Sequence, residues 1–180
     1  AKIALGKRLG IIGLGEVGSQ VAKICSNFGM KVKYYDLIRH LNFEKETRIQ
    51  YSKLRDILKN SDFISLHAKI NPQKPIIIGE KEISLMKKSA YIINTSRGRV
   101  LDQEALYNAI KSNKIAGAAL DVFEKEPLSY KSPLILSKKM ILTPHIAGGR
   151  DVNIVSSQDW VEGVKEICAS IIKMTKNMEK

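Results

Sequence analysis

The fold of this chain is decided at Gly10-Ile11-Ile12-Gly13-Leu14-Gly15-Glu16-Val17-Gly18. A short apolar run ends at Gly13, and three glycines follow with the spacing G-x-G-x-x-G. Apolar residues with helical periodicity then begin at Val17 and continue to Phe28. This strand–turn–helix order predicts a pyrophosphate site, because the turn brings the free N–H groups of a helix N-terminus to the phosphates. The alternative is a glycine-rich βα turn that binds no ligand.

Each glycine of the turn has its own expected role. Gly13 permits the tight turn, Gly15 leaves the backbone open to a pyrophosphate, and Gly18 lets the helix pack closely on the strand. The candidate cofactor-binding residues of this segment are therefore Gly13, Gly15, Glu16, Val17 and Gly18.

Asp36 follows the second predicted strand, residues 31–35. In dinucleotide-binding folds an acid roughly 20 residues after the turn accepts hydrogen bonds from the adenosine ribose. A carboxylate there repels a 2′-phosphate, so NAD is favoured over NADP, although the nearby Arg39 weakens that preference. The alternative is that Asp36 is only a turn residue at the end of a strand.

Short strands alternate with helices along the rest of the chain. We expect strands at 9–12, 31–35, 62–66, 90–93, 115–120 and 140–142. We expect helices at 16–28, at 52–58 with Ser52 as N-cap, at 79–86, after a cap at Asp102, and as a long amphipathic helix at 153–175. This alternation predicts an α/β fold, a Rossmann doubly wound parallel sheet with helices on both faces, in a single domain over 1–180.

Polar residues follow five of the predicted strands. They are Asp36, His67, Arg97, Asp121 and His145. Because the carboxyl ends of parallel strands meet at one edge of a sheet, and open α/β sheets bind ligands at that edge, we expect these residues to share a site.

Two of these residues have the chemistry that a carbonyl reduction requires. Arg97 could hold a carboxylate in a bidentate fork, and His145 could exchange a proton near neutral pH. Either Glu124 or Glu126 could accept a hydrogen bond from the far ring nitrogen and stabilise the charged imidazole. Taken singly, the arginine could equally be a solvated surface charge and the histidine a satisfied surface or core group.

Three longer segments resemble signature segments of the D-isomer-specific 2-hydroxyacid dehydrogenases. They are Asn94-Thr95-Ser96-Arg97-Gly98, Gly117-Ala118-Ala119-Leu120-Asp121-Val122-Phe123-Glu124-Lys125-Glu126-Pro127 and Thr143-Pro144-His145-Ile146-Ala147-Gly148. Their order and spacing after the glycine turn are similar to the NAD-binding domain of that family. The resemblance covers nearly the whole chain.

The resemblance implies an NAD-dependent oxidoreductase that transfers a hydride between NAD(H) and a D-2-hydroxy acid or 2-keto acid. It implies that Arg97 binds the substrate carboxylate and carbonyl, that His145 exchanges the proton, and that Glu126 is the partner of that histidine. It also implies cofactor contacts, with Asp36 at the ribose, Asp121 at the nicotinamide pocket, and Thr95 and His67 lining the site.

The chain departs from the family pattern in two respects. The family usually has a proline and then a threonine where this chain has Lys69 and Asn71. Family members also carry a separate substrate-binding domain, which we expect this chain to lack. We therefore expect NAD(H) binding with poor turnover of 2-keto acids by the chain alone. The resemblance also implies a homodimer. A non-catalytic, NAD(H)-sensing module of the corepressor type is the alternative function.

Composition limits the remaining possibilities. No apolar run in the 180 residues approaches the ~20 residues of a membrane span, and no signal peptide is visible. Cys25 and Cys168 lie on apolar sides of predicted helices, which indicates buried thiols rather than a disulfide or metal site and so a cytoplasmic protein. The net charge of +12 could attract nucleic acid, but the lysines are scattered, so we expect no nucleic-acid partner.

Overall fold

The computed structural model describes residues 4–70, 73 and 75–148. Within these residues one parallel sheet of seven strands has the order β3-β2-β1-β4-β5-β6-β7. The strands are β1 Arg8–Ile12, β2 Lys31–Tyr35, β3 Gln50–Tyr51, β4 Phe63–Leu66, β5 Tyr91–Asn94, β6 Gly117–Leu120 and β7 Met140–Leu142. The helices are α1 Glu16–Asn27, α2 Leu41–Thr47, α3 Leu54–Asn60, α4 Glu80–Ser84 and α5 Gln103–Lys111, with a 3-10 turn at Gly98–Val100.

The strand order confirms the doubly wound topology. The chain proceeds outward from β1 to β3, returns to place β4 beside β1, and then proceeds outward to β7. The connections after β1 and β4 therefore leave the sheet in opposite directions. A crevice opens at the carboxyl ends of these two strands, which is where open α/β sheets bind ligands.

Neighbouring residues of the central strands pack into different cores. Ile11 belongs to the same buried cluster as Val21 and Cys25 of α1 on one face, whereas Ile12 belongs to a second cluster with Ile57 of α3 on the other. Successive side chains of a strand point to opposite faces, so both faces need a helical layer. This arrangement confirms the expected helices on both faces.

The sequence expectation was wrong in the segment after β2. Ser52 does not cap a helix: its N–H donates to Tyr34 O at 2.7 Å, so the residue stays extended beside β2. Lys53 is instead the N-cap of α3. Neither the short helix α2 nor strand β3 was predicted. Helix α2 buries none of its residues and therefore has no clear apolar stripe.

Other elements follow the expectation within a few residues. Asp102 caps α5 through a hydrogen bond from Ala105 N to its Oδ1 at 2.9 Å. Cys25 is buried, as expected. The helix expected over 153–175, Cys168 and Asn71 lie outside the described residues. In the part of the chain that is described, no helix is both long and apolar enough to cross a membrane.

Candidate active site

The polar residues expected at one sheet edge are divided between two regions. The glycine-turn region comprises Gly13–Gly18 after β1, Asp36 after β2 and His67 after β4. The His145 region comprises Thr95 and Arg97 after β5, Asp121, Glu126 after β6, and His145 after β7. All of these strands are parallel, so both regions lie at the carboxyl edge of the sheet.

The glycine turn packs directly against the end of β4. Gly13 has a φ of +93°, and a Cβ there would lie 2.5 Å from Ala68 N. A Cβ on Gly18 would lie 2.1 Å from Gly13 O. The fold therefore requires glycine at both positions. A Cβ on Gly15 would meet no heavy atom within 4 Å, so the backbone there borders open space that a ligand could occupy.

The Asp36 carboxylate joins the glycine turn to the loop after β2. Its Oδ2 accepts from Leu14 N at 2.6 Å, and its Oδ1 accepts from Leu37 N at 2.6 Å. His40 Nε2 lies 3.6 Å from Oδ2. These contacts fix the carboxylate beside the turn while its side chain keeps 24% of its surface exposed. Each oxygen has a further lone pair, so the group can still accept hydrogen bonds from a ligand.

His67 lies on the other side of the crevice. Its N–H donates to Ile12 O at 2.7 Å, and its ring Nε2 lies 2.8 Å from Ser65 Oγ. Desolvation lowers the pKa of the imidazole to about 4. The ring is therefore neutral at physiological pH, which suits a group that lines a pocket rather than one that exchanges protons there.

Asn94 shapes the loop that carries Thr95 and Arg97. This buried side chain donates from Nδ2 to Arg97 O at 3.1 Å, and its Oδ1 accepts from Ser96 N at 3.0 Å. The loop thus closes on its own strand end. Thr95 is half-buried within it, and Arg97 is exposed.

Asp121 holds the loop that follows β7. It is 3% exposed, and its Oδ1 accepts from Thr143 Oγ1 at 2.5 Å and from Ile146 N at 3.0 Å. Its Oδ2 accepts from Ala147 N at 3.0 Å. These bonds fix the backbone on both sides of His145, whose φ of +56° is uncommon for a residue with a side chain.

His145 and Glu126 form a hydrogen-bonded pair. His145 Nδ1 lies 2.7 Å from Glu126 Oε2, and because a carboxylate can only accept, Nδ1 carries the proton. Glu126 Oε1 also accepts from Phe123 N at 2.9 Å. The bond from His145, aided by that N–H, holds the pKa of the Glu126 carboxyl below its usual range. Nε2 is consequently the ring nitrogen that can exchange a proton with a ligand.

The structure distinguishes between the two glutamates considered from the sequence. Glu124 does not pair with the histidine; its Oε1 accepts from Gln103 N at 3.4 Å. Arg97 is close enough to Glu126 that its charge also lowers the pKa of that carboxyl, although this is the smallest of the contributions.

The Arg97 loop lies directly against the Glu126 loop. A Cβ on Gly98 would lie 2.0 Å from Phe123 O, so only glycine allows this approach. A cavity of about 780 Å³ borders His145 and Glu126 and is otherwise lined mainly by apolar side chains such as Leu128 and Leu142. Another cavity, of about 530 Å³, lies between α4 and α5 and shares no residue with either region.

The model of the D-isomer-specific 2-hydroxyacid dehydrogenase NAD-binding domain matches residues 2–147 of this chain. The chain belongs to this family. The matched part is the NAD-binding domain of the family, as the signature segments indicated, and NAD is the cofactor of this domain family.

Individual relatives agree with this assignment. The chain is 46% identical over 142 residues to a glyoxylate reductase of Korarchaeum cryptofilum, a match that covers 79% of this chain and 43% of the relative. It is 41% identical over 179 residues to a D-3-phosphoglycerate dehydrogenase of Escherichia coli, covering 97% of this chain and 42% of the relative. The chain thus spans less than half the length of these two relatives.

A solved structure shares the fold. The D-isomer-specific 2-hydroxyacid dehydrogenase of Lactobacillus delbrueckii ssp. bulgaricus, in its NAD-complexed form, superposes with a TM-score of 0.73 at 31% identity. The match covers 94% of this chain and 53% of that one. Nothing among these relatives favours the corepressor alternative.

The glycine-turn region of this NAD-binding domain fits its cofactor. Within the described residues, no side chain caps the N-terminus of α1, so its first N–H groups remain for a phosphate. The open space at Gly15 gives a pyrophosphate access to that backbone. Asp36 is fixed beside the same turn by its bond from Leu14 N.

Two residues that organise the site were not identified from the sequence as such. Asn94 and Thr143 each belong to a signature segment, but neither had been given a role. For Asn94 the available signal is a buried strand that ends in a polar residue, because a polar side chain in that position must find partners. The family resemblance implied a role for Asp121 at the nicotinamide pocket, and the structure shows that this residue holds the His145 loop.

Proposed function

We propose that this domain forms the cofactor half of an enzyme that transfers a hydride between NAD(H) and a D-2-hydroxy acid or 2-keto acid. The observation that carries the proposal is the His145–Glu126 pair, which lies beside an exposed arginine at the same sheet edge as the glycine turn. A proton donor, its orienting carboxylate and a carboxylate anchor are the groups that carbonyl reduction needs.

On this proposal the glycine-turn region binds the nucleotide. The N–H groups of Glu16, Val17 and Gly18 at the start of α1 face the pyrophosphate, while Gly13 and Gly15 give the turn its shape and its open backbone. Beside the turn, Asp36 accepts hydrogen bonds from the adenosine ribose and repels a 2′-phosphate. His67, Thr95 and Asp121 line the remainder of the cofactor site.

The His145 region acts on the substrate. Bound NADH supplies the hydride that adds to C2 of the keto acid. Arg97 holds the substrate carboxylate, and His145 Nε2 gives a proton to the carbonyl oxygen, which becomes the hydroxyl of the product. Glu126 orients the ring and stabilises its charged form. In the reverse direction His145 accepts that proton.

We further propose that a substrate-binding domain completes the cleft. Side-chain exposure of 49% for His145 and 36% for Glu126 supports this, because proton transfer next to a hydride donor benefits from the exclusion of water. Exposed apolar residues such as Tyr130 and Leu136 offer surface for that domain or for a second copy of the chain. A homodimer in the cytoplasm is the assembly we propose from the family resemblance.

The test measures NADH binding and NADH oxidation in parallel. We expect saturable NADH binding by the chain, and only slow oxidation with glyoxylate, hydroxypyruvate or pyruvate. His145→Gln should retain binding and lower that residual rate by roughly 100-fold or more, the usual contribution of a general acid. A folded chain that binds no NADH would contradict the proposed function, and rapid turnover by the chain alone would contradict the need for a second domain.

A further inference from the structure

A bidentate ion pair lies in the loop that leaves the proposed ribose-binding carboxylate. Arg39 Nε donates to Glu44 Oε1 at 2.9 Å, and Arg39 Nη2 donates to Glu44 Oε2 at 2.8 Å. Arg39 belongs to the same loop as Asp36, and Glu44 lies in the first turn of α2. The guanidinium therefore directs two of its donors at its own chain.

Tyr34 fixes the glutamate in this position. Its hydroxyl donates to Glu44 Oε1 at 2.8 Å and accepts from His40 N at 2.8 Å, and the tyrosine is fully buried. The side chain of Glu44 keeps 12% of its surface exposed, against 59% for Arg39. The glutamate is thus the anchored member of the pair, and the arginine is the member held by it.

The network extends to Asp36. His40, whose backbone N–H bonds to Tyr34, has its Nε2 3.6 Å from Asp36 Oδ2. A 2′-phosphate on the ribose would bring further negative charge beside this carboxylate. Favourable binding of NADPH would require a cation to offset that charge, and a guanidinium suits a phosphate because of its bidentate geometry. Arg39 has the right chemistry and loop position, but its Nε and Nη2 atoms already donate to Glu44, which holds the guanidinium in place.

We propose that Glu44 is a specificity-determining residue of this domain. By holding Arg39 in a bidentate pair, it withholds the guanidinium from a 2′-phosphate and so reinforces the preference for NADH that Asp36 establishes. The inference rests on the proposed function, namely that the adenosine ribose binds at Asp36. The contrasting possibility is that the pair only secures α2 against β2, in which case its loss alters stability and leaves the cofactor preference unchanged.

The experiment compares dissociation constants for NADH and NADPH, measured by titration calorimetry on the chain and its variants. Glu44→Gln keeps the shape of the side chain but removes the charge that holds Arg39. We expect it to tighten NADPH binding by roughly tenfold, the gain from one charge-assisted contact to a phosphate, with little change for NADH. Glu46→Gln is the matched control, since it removes the same charge from an exposed position of the same helix.

Arg39 variants test the cause of the gain. Adding Arg39→Gln to Glu44→Gln should abolish the tighter NADPH binding, because the released guanidinium is then gone. Arg39→Gln alone should leave both dissociation constants near the unsubstituted values, and it keeps the inference testable if the Glu44 variant does not fold.

Three results would overturn the inference. The first is an unchanged NADPH-to-NADH ratio in Glu44→Gln, the second is an equal gain in Glu46→Gln, and the third is a large loss of NADPH affinity in Arg39→Gln alone. If the unsubstituted chain binds neither cofactor, the proposed function fails along with the inference. If NADH binds normally but any of these three results is obtained, the specificity role of Glu44 is contradicted and the proposed function is not.

Discussion

The glycine-turn region and the His145 region share one edge of the sheet but differ in how much of their surroundings the chain supplies. In the first, Asp36 receives a backbone N–H on each oxygen, and Gly13 and Gly18 are enclosed by neighbouring backbone. In the second, Asp121 and Glu126 fix the loop and ring of His145, yet about half of that side chain faces solvent. The chain thus orients the His145 ring without enclosing it.

The largest expected effect comes from separating the two loops of the His145 region. In Gly98→Ala the new Cβ would lie 2.0 Å from Phe123 O, so the Arg97 and Glu126 loops must part. We expect the free energy of unfolding to fall by about 3 kcal/mol, measured by urea denaturation. Gly148→Ala is the control, because a Cβ there meets no atom within 4 Å, and equal loss in both variants would contradict the close approach.

In the glycine-turn region, substitution of Gly15 should weaken cofactor binding and leave the stability of the fold unchanged. A Cβ there clashes with nothing in the chain, so Gly15→Ala should keep its stability but obstruct the pyrophosphate. We expect NADH binding to weaken by about 100-fold, or ~2.7 kcal/mol, in calorimetric titrations. Gly18→Ala, which clashes with Gly13 O, should instead lower the thermal midpoint. Unchanged NADH affinity in Gly15→Ala would place the pyrophosphate elsewhere.

His67 gives the glycine-turn region a pH dependence of its own. Its folded pKa of about 4 lies below the value near 6.5 of an unfolded histidine, so the unfolded state binds the proton first as pH falls. The stabilisation is complete above pH 6.5 and is lost progressively toward pH 4. Between pH 7.5 and 4.5 we expect the free energy of unfolding to fall by roughly 2 kcal/mol.

His67→Gln should remove most of that loss, since glutamine does not titrate, whereas His40→Gln should retain it. Denaturation curves at several pH values between 7.5 and 4.5 measure the difference. The same pH dependence in the wild type and His67→Gln would show that the loss originates elsewhere.

The smallest expected effect comes from breaking the hydrogen bond between His145 and Glu126. In His145→Gln the strongest of the bonds that lower the pKa of the Glu126 carboxyl is lost, so that pKa should rise toward its ordinary value. The N–H of Phe123 still donates to the carboxylate, so part of the lowering should remain. Carboxyl carbon shifts followed by NMR report this directly, with His67→Gln as control. An unmoved Glu126 pKa would mean that the pair does not form in solution.

The sequence predicted the glycine-turn region better than the His145 region because its signals are local. The three glycines, Gly13, Gly15 and Gly18, and the acid at the end of β2, Asp36, all lie within one strand–helix–strand unit. Their spacing can therefore be recognised in a short stretch of sequence. By contrast, the bonds from Thr143, Ile146 and Ala147 to Asp121 form between the ends of β6 and β7. The described connection between these strands contains no helix, so no helical pattern in the sequence predicts how it brings the residues together.

The errors have a similar physical origin. Ser52 has the composition of an N-cap, but its bond to Tyr34 O keeps it extended, so tertiary pairing prevailed over local preference. Glu124 and Glu126 were equivalent from the sequence, because the choice depends on how the backbone after β6 turns toward His145. The family resemblance favoured Glu126, and the distance of 2.7 Å to His145 agrees with it.

The most direct test of the central claim is a calorimetric titration of the chain with NADH and NADPH, before and after Asp36→Ala. The claim is that the chain by itself binds the dinucleotide, with the pyrophosphate at the glycine-turn region, and selects it by the ribose. It predicts saturable NADH binding with one site per chain, clearly weaker NADPH binding, and a narrower difference between the two once the Asp36 carboxylate is removed. No saturable NADH binding by the folded chain, or a preference that Asp36→Ala leaves unchanged, would contradict it.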